Sequence, residues 1–406
     1  MWANLLMTIS GILLVLLLFP LGYLLLLALS AIRSASRPDT RGRSPSTCFM
    51  IMIPAHNEVN VIKATVSRLL ALDYPAHLFS IHILADHCSD NTAEVARQAG
   101  AVVHERNEGP RTGKGAALSW LFHRVFEKEP CDAVVIFDAD TRVDSEFLRV
   151  MDWRLAQGDQ VIQGQHVILN PNQGWYPALT SAMFLIDNRF QNLGRTNLGW
   201  SAKNMGDSIC FRADILRKLG WGEGLTEDYH FRFQLLLNGI RIMYEPAAVG
   251  YGEAPLTWAQ AGAQRARWLR GTYDTSQQYV KRLLMEGVKK HNLAMLDGAL
   301  QASFPSYSTL SVLVLVILAI QISIDYFIGS ISLWPLLGAW AVMVIMLLIY
   351  PLFGLALERA PFRAYIAILV GPYFILWRTW LALVSRFGKK QVTWIRTEHG
   401  NLDRKS

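Results

Sequence analysis

The stretch Val134-Val135-Ile136-Phe137-Asp138-Ala139-Asp140 decides the fold. Its first four residues are apolar and mostly β-branched or aromatic, the texture of a strand buried on both faces of a parallel sheet. The strand stops at two acids one residue apart. Open α/β sheets bind ligands beyond the carboxyl ends of their strands. Two carboxylates crowded there are costly unless a cation lies between them. A hard cation such as Mg²⁺ or Mn²⁺, bridging to the phosphates of a substrate, meets that need. A solvated acidic turn is the competing reading of an isolated D-x-D, and the remainder of the chain decides between the two.

Working outward, 52% of the 406 residues are hydrophobic and only 17% charged, richer in apolar residues than an ordinary soluble enzyme. The excess sits in residues 4–31 and in most of 305–385, leaving a middle with the mixed texture of a globular domain. The formal net charge of +7 comes with basic clusters beside the apolar stretches, which reads as membrane anchoring and orientation. No basic stripe interleaved with stacking aromatics points to nucleic acid. Cys48, Cys88, Cys131 and Cys210 form no C-x-x-C pair, which argues against a zinc site or a disulfide framework and fits a reducing cytosol.

Residues 1–32 are expected to form an N-terminal transmembrane helix, kinked by Pro20 and retained, since a basic leading region and a small-residue cleavage site are missing. Arg33, Arg37, Arg41 and Arg43 follow, so the positive-inside rule puts the soluble part in the cytoplasm. From Phe49 strands and helices alternate. Phe49 to Ile53, Phe79 to Leu84, Ala101 to His104 and Val134 to Phe137 read as strands, and Val61, Ile62, Thr65, Val66, Leu69 and Leu70 recur at helical spacing. The layout is a doubly wound α/β sheet with acids and turn residues gathered at strand ends.

Glu108-Gly109-Pro110-Arg111-Thr112-Gly113-Lys114-Gly115 is not a P-loop, because three residues separate its glycines and Gly115 replaces the required Ser or Thr. What remains is Lys114 at a turn entering a helix, where an ammonium and backbone N–H groups could meet a diphosphate or the nucleoside. A strand and turn are expected over Gln163 to Pro171, followed by aromatic-rich sequence through Trp175 and Trp200 to Asn204-Met205-Gly206-Asp207-Ser208. These residues either line an acceptor cleft or are ordinary core. Thr226-Glu227-Asp228 opens a helical run to Leu237 and taken alone is a helix cap. Gln264-Arg265-Ala266-Arg267-Trp268 taken alone is an interfacial helix with a snorkelling arginine.

Together they are more. Pro54-Ala55-His56-Asn57-Glu58, Asp86 with Ser89 and Asp90, Asp138-Ala139-Asp140, Thr226-Glu227-Asp228 and Gln264-x-x-Arg267-Trp268 occur in the order and approximate spacing of a known family. Over residues 46–275 the chain resembles the membrane-bound family-2 glycosyltransferases, which include cellulose, hyaluronan and chitin synthases and many bacterial exopolysaccharide enzymes. The resemblance implies a GT-A-type mixed sheet over residues 46–274 and a metal-dependent inverting glycosyltransferase in a bacterial inner or plasma membrane. It implies that Asn57, Glu58 and Asp86 hold the nucleoside with Lys114 near it, that Asp138 sits by the nucleotide, and that Asp140, with Asp138, ligates Mg²⁺ or Mn²⁺. Asp228 resembles the family's general base, and Gln264, Arg267 and Trp268 resemble the elements that clamp the diphosphate and frame the acceptor. His87 departs from the pattern where many relatives carry a second acid, which bears on the nucleoside contacts.

Physical reasons for these residue types stand beside the resemblance. Displacing a nucleoside diphosphate from an anomeric carbon leaves negative charge that a divalent cation and a guanidinium stabilise. The attacking hydroxyl must lose a proton to a carboxylate within reach. One base acting opposite the leaving group inverts the anomeric centre, so an α-linked donor gives a β-linked product.

In the membrane half, residues 275–304 are expected to form an amphipathic interfacial segment, with Tyr279, Leu283, Leu284 and Gly287 on one side and Lys281, Arg282, Lys289 and Lys290 nearby. Residues 305–357 hold two crossings. A crossing by 362–385 would leave Arg386, Lys389, Lys390 and Arg396 outside, against the positive-inside rule. Gly371-Pro372 interrupts that stretch and Arg378 is expensive at bilayer depth, so 358–406 reads as re-entrant or interfacial helices and a basic tail, the alternative being a further crossing.

The leading expectation is transfer from a nucleotide sugar, UDP-linked by resemblance, to a glycan acceptor in exopolysaccharide or cell-surface glycan synthesis, with a homo-oligomer or export partner where a polymer must cross the membrane. A non-processive enzyme extending a membrane lipid or lipid-linked acceptor is the alternative. From another class, a catalytically inert nucleotide-sugar sensor would keep the fold, although Asp86, Asp138, Asp140 and Asp228 are all present.

Overall fold

The computed structural model describes residues 2–111, 113–126, 128–222, 224–256, 258–328 and 334–387. The basic tail with Lys389, Lys390 and Arg396 lies outside the described residues. Strands β1 (Phe49–Ala55), β2 (Phe79–Asp86), β3 (Val102–Arg106), β4 (Ala133–Ile136), β5 (Arg142–Val143), β6 (Val161–Ile168), β7 (Ile209–Arg212) and β8 (Ile242–Gly252) form one sheet in the order β3-β2-β1-β4-β7-β6-β8-β5. β3, β2, β1 and β4 run parallel, and β7 enters antiparallel between β4 and β6. This is the GT-A-like mixed α/β sheet expected from the sequence.

Helices cover both faces. On the domain they are α2 (Ile62–Leu70), α3 (Thr92–Gln98), α4 (Lys114–Val125), α5 (Phe147–Ala156), α6 (Trp175–Ile186), α7 (Gly194–Asn197), α8 (Ala213–Leu219) and α9 (Glu227–Leu237), after the N-terminal α1 (Trp2–Ser30). Alternation along the strands builds two cores. Phe49, Ile51, Ile53, Val135 and Phe137 pack with Ile62, Val66 and Leu69 of α2 and with Phe147 and Met151 of α5. Met50, Met52, Val134 and Ile136 face the other way, onto Leu118 and Leu121 of α4 and Phe231 and Leu235 of α9. Every side chain of β4 is fully buried, so the strand has no solvent face and its apolar run carries no alternation of polarity.

The remaining helices are α10 (Trp258–Lys289), α11 (Leu293–Ser303), α12 (Tyr307–Ile328), α13 (Trp334–Leu357), α14 (Phe362–Ile368) and α15 (Gly371–Phe387). Met7–Ser30, Tyr307–Tyr326 and Leu336–Leu357 are long and apolar enough to cross a membrane. α1, α12 and α13 meet through Leu21, Leu24, Leu310, Val314, Trp340 and Leu347, and Ser10 ties them by donating to Gln321 and accepting from the Trp340 indole. α14 and α15 pass the same test only as a pair, bent by 53°. α1 is fastened to the domain. Gly194 lies so close to Leu27 that a Cβ would stand 2.5 Å from its carbonyl oxygen, and Arg189 donates to the carbonyl of Ala31.

One face differs from the sequence reading. Residues 275–289 continue α10 without a break, and the side carrying Tyr279 and Leu283 is not turned to lipid. Leu283 is fully buried against Phe233, Leu236 and Met295, and Gly287 packs on Leu296, because α9 and α11 offer apolar surface there. Leu284, Met285 and Val288 are the apolar side chains left exposed.

Candidate active site

The parallel strands β2, β1 and β4 deliver their carboxyl ends side by side, and the acids follow from that register: Ala55 pairs with Ala85, and Met52 with Ile136. Beyond β1, Asn57 adopts φ 57, a left-handed conformation that asparagine tolerates, and its Oδ1 accepts from the Ser89 backbone at 2.7 Å. The Glu58 amide donates to Thr92 Oγ1 at 2.8 Å. Asp86, buried at the end of β2, accepts from Arg106 at 3.1 Å and pairs with His87 Nδ1 at 2.9 Å. His87 in turn reaches the Gly109 carbonyl oxygen at 2.9 Å. The histidine that departs from the family pattern is therefore bonded to the very acid beside it.

Asp138 and Lys114 form an ion pair across the start of α4, and Lys114 Nζ also donates to the Gly206 carbonyl at 2.6 Å. Burial works against the Lys114 charge, but Asp138, with Asp207 and Glu227 behind it, more than offsets it, so the ammonium is held upward of its usual range. Lys114 thus sits beside the acid pair. Asp207 fixes this corner. It accepts from the Asp138 amide and Thr141 Oγ1, both at 2.9 Å, and from Ser208 Oγ at 3.0 Å, and it bonds His166 Nδ1 at 2.9 Å. Burial disfavours charge on His166, yet the Asp207 bond outweighs it and raises the imidazole.

Gly206 links this corner to α9. With φ 76 it turns left-handed, and a Cβ there would stand 3.2 Å from the Asp228 carboxylate. Glu227 is buried and Asp228 half-buried at the first turn of α9. Burial raises both carboxyls, Glu227 to about 7, and the Asp228 charge adds to that rise. Lys114 and Arg267 pull the other way on each of them, which puts the guanidinium of α10 within electrostatic reach of the pair. Gln264, Arg267 and Trp268 share one face of α10 at helical spacing, and Trp268 is 37% exposed. Asp138, Lys114, Glu227, Asp228 and Arg267 thus converge, while Asn57, Glu58 and Asp86 form a second group at the neighbouring strand ends. Asp207 and Glu227 take part in the site beyond the residues first singled out. The sequence signal for both was their place inside quoted stretches, Asn204 to Ser208 and Thr226 to Asp228.

The acids suit a divalent cation that depends on substrate phosphates. Lys114 occupies one oxygen of Asp138, but 49% of that side chain stays open, and Asp140 follows it on the same turn. Among the described residues no group of three or more His, Cys, Asp or Glu side chains could hold an ion. Mg²⁺ and similar ions are commonly held by one or two carboxylates together with phosphate oxygens, which this donor set matches.

Known proteins agree with the fold. A mannosyltransferase from Pyrobaculum calidifontis, solved with GDP-mannose and Mn²⁺, superposes with a TM-score of 0.56 over 86% of this chain and 98% of its own, at 16% sequence identity. Among curated proteins, a β-monoglucosyldiacylglycerol synthase of Trichormus variabilis is 28% identical over 56% of this chain and 50% of its own. A poly-β-1,6-N-acetyl-D-glucosamine synthase of Staphylococcus aureus is 28% identical over 55% of this chain and 54% of its own. The chain spans about half the length of the curated relatives it matches. The model of the family described as glycosyltransferase like family 2 matches residues 45–271, more than half of the chain. By that match the chain belongs to the family-2 glycosyltransferases.

Proposed function

We propose that the chain is an integral-membrane inverting glycosyltransferase that moves a sugar from a nucleotide sugar, UDP-linked by family resemblance, to a hydroxyl of a glycan or lipid acceptor. The observation that carries this reading is the convergence of the Lys114–Asp138 pair and the Asp228–Glu227 pair on Gly206, with Arg267 acting on the second pair. Asn57, Glu58 and Asp86 hold the nucleoside. Lys114 and Arg267 meet the diphosphate, and Gln264 and Trp268 border the acceptor. Mg²⁺ or Mn²⁺ on Asp140 and the open side of Asp138 would supply further charge neutralisation to the leaving diphosphate.

Asp228 takes the proton of the acceptor hydroxyl as its oxygen attacks the anomeric carbon. The bond from that carbon to the diphosphate oxygen breaks on the opposite face, and its electron pair leaves with the nucleoside diphosphate. Inversion follows. Burial of Asp228 supports the role, since a carboxylate raised from its usual range holds a proton more readily.

On this reading residues 46–274 are the transferase domain, on the cytoplasmic side where Arg33, Arg37, Arg41 and Arg43 follow α1. The bend between α14 and α15 is a re-entrant turn that keeps the tail on the same side. The acceptor is a growing glycan, or else a membrane lipid; the second is favoured by the likeness to a protein named for glucosyldiacylglycerol synthesis.

Purified full-length protein given a panel of nucleotide sugars, with and without Mn²⁺ or Mg²⁺, is expected to release nucleoside diphosphate from one of them. Asp228→Asn is expected to keep donor binding and lose transfer. Undiminished transfer by that variant would remove Asp228 as the base. Product size separates the two acceptors, a ladder for a glycan chain and a single addition for a lipid.

A further inference from the structure

α10 carries two arginines with different surroundings. The charge of Arg267 acts on the acid pair, and Arg265, two residues earlier, lies on nearly the opposite side of the helix. Arg265 is buried, donates from Nε to the Tyr176 hydroxyl at 2.9 Å, and lies 4.8 Å above the ring of Phe374 on α15. Arg378, one turn further along α15, donates from Nη1 to Ser308 Oγ at 3.3 Å. It feels the repulsion of Arg265 and the attraction of Asp187. Asp187, however, is engaged at 2.7 and 2.8 Å by Lys203. Among the described residues the acid that attracts Arg378 is thus already taken by Lys203, Arg265 forms no ion pair, and neither arginine has a carboxylate of its own.

The depth of this cluster matters. Ser308 is in the first turn of the span Tyr307–Tyr326, at the end joined through α11 to the domain, which is the level of lipid headgroups. The outer face of α15 is apolar and open, with Tyr373, Leu376 and Trp380 each more than half exposed. A buried guanidinium such as Arg265 without a carboxylate of its own is costly and marks a site for an anion. A guanidinium pair suits the oxygens of a phosphate ester better than a single ammonium does.

We propose that Arg265 and Arg378 bind the phosphate of an anionic lipid headgroup, delivered from the bilayer along α15 to the acceptor side of the site. The inference rests on the glycosyltransferase reading for its purpose, that of seating a lipid acceptor or a lipid that holds the acceptor cleft at the membrane. The binding itself can be tested apart from it.

The test uses full-length protein, stripped of lipid in neutral detergent and offered phosphatidylglycerol or phosphatidylcholine, with retained lipid counted by native mass spectrometry. The wild type is expected to prefer phosphatidylglycerol by about tenfold or more, the worth of one charge-assisted contact. Arg378→Gln and Arg265→Gln are expected to bring the two lipids to parity, and Arg378→Lys to keep part of the preference. Should Arg378→Gln fail to fold, Ser308→Ala, which removes only the anchoring hydrogen bond, is expected to weaken the preference. Protection against thermal unfolding by inorganic phosphate that depends on Arg378, without any lipid preference, would keep the site and assign it to free phosphate. Equal lipid retention by wild type and variants, with no protection by phosphate, overturns the proposal. Nucleotide-sugar turnover in the same samples reports on the enzyme reading separately.

Discussion

Gly271 of α10 rests on Thr226 so closely that a Cβ would lie 2.6 Å from its Cγ2 and 3.0 Å from its backbone nitrogen. Thr226 is the residue before Glu227 and Asp228, and Gly271 lies one turn beyond Arg267. This contact sets the distance between the guanidinium and the carboxylate pair. A methyl group at 271 meets the short, branched Thr226 side chain, which has no far end to swing away and has its own backbone close behind, so the two helices must separate. Gly271→Ala is expected to lower kcat by about 100-fold, the penalty of roughly 1 Å of misplacement, with a much smaller change in donor KM. Diphosphate release and donor titration on the purified variant check this, and an unchanged kcat would detach α10 from the chemistry.

The paired carboxylates give a pH signature. Burial raises both, and the Asp228 charge carries Glu227 on to about 7, so the base becomes available only as pH climbs past the ordinary carboxylate range. The acid limb of kcat/KM is expected above the ordinary carboxylate range. Glu227→Gln removes the ionisable neighbour beside Asp228 and should shift that limb downward. The same substitution should stabilise the protein. A glutamate raised from 4.5 in the unfolded chain to about 7 when folded stabilises most below the lower value and loses that stability as pH rises through the upper one. At pH 8 the variant is therefore expected to gain about 1–3 kcal/mol and below pH 4 nothing, read from melts across that range. An acid limb that stays in place would separate Glu227 from the base.

The fold was legible where a strand is buried on both faces, as in β1 and β4, or where a helix shows its period, as in α2. β7 was not: Ile209–Arg212 is only four residues long, so no period develops. β8 escaped because Pro246 interrupts it, and the register with β6 jumps there, Gly164 pairing with Glu245 and Gln165 with Val249. In the site, the acids were visible from their strand-end and helix-start positions. Their partners were not, since the bonds from Lys114 to Asp138 and from the Asp138 amide to Asp207 span 24 and 69 residues. Leu283 teaches the same lesson for surfaces: an amphipathic period tells which face is apolar, and tertiary structure decides what covers it.

Lys114 places one positive charge where the donor's diphosphate is proposed to lie, already held by Asp138 and Gly206. Lys114→Gln keeps most of the side-chain length and deletes the charge. It is expected to weaken nucleoside diphosphate binding by about 10- to 100-fold, the range for losing a charge-assisted hydrogen bond, and to make the remaining affinity lean more heavily on added Mn²⁺. Calorimetry with and without the metal measures both effects. Affinity equal to the wild type would confine Lys114 to holding Asp138 in place.

Asp297 of α11 joins the membrane anchor to the catalytic helix. Fully buried, it accepts from Tyr23 of α1 at 2.6 Å and from Arg195 Nε at 3.0 Å, and Arg232 of α9 stands 3.8 Å away. Two guanidiniums thus share one carboxylate, and Arg232 lies one turn along α9 from Asp228. Asp297→Asn leaves both cations buried without a counter-charge and is expected to cost about 3–5 kcal/mol. Arg195→Gln, which leaves Asp297 paired with Arg232, should cost less. Because the network backs α9, Asp297→Asn is also expected to lower kcat while donor affinity holds, provided the assay stays below its reduced melting temperature. A variant that melts and turns over like the wild type would mean that the anchor and the catalytic helix are merely neighbours.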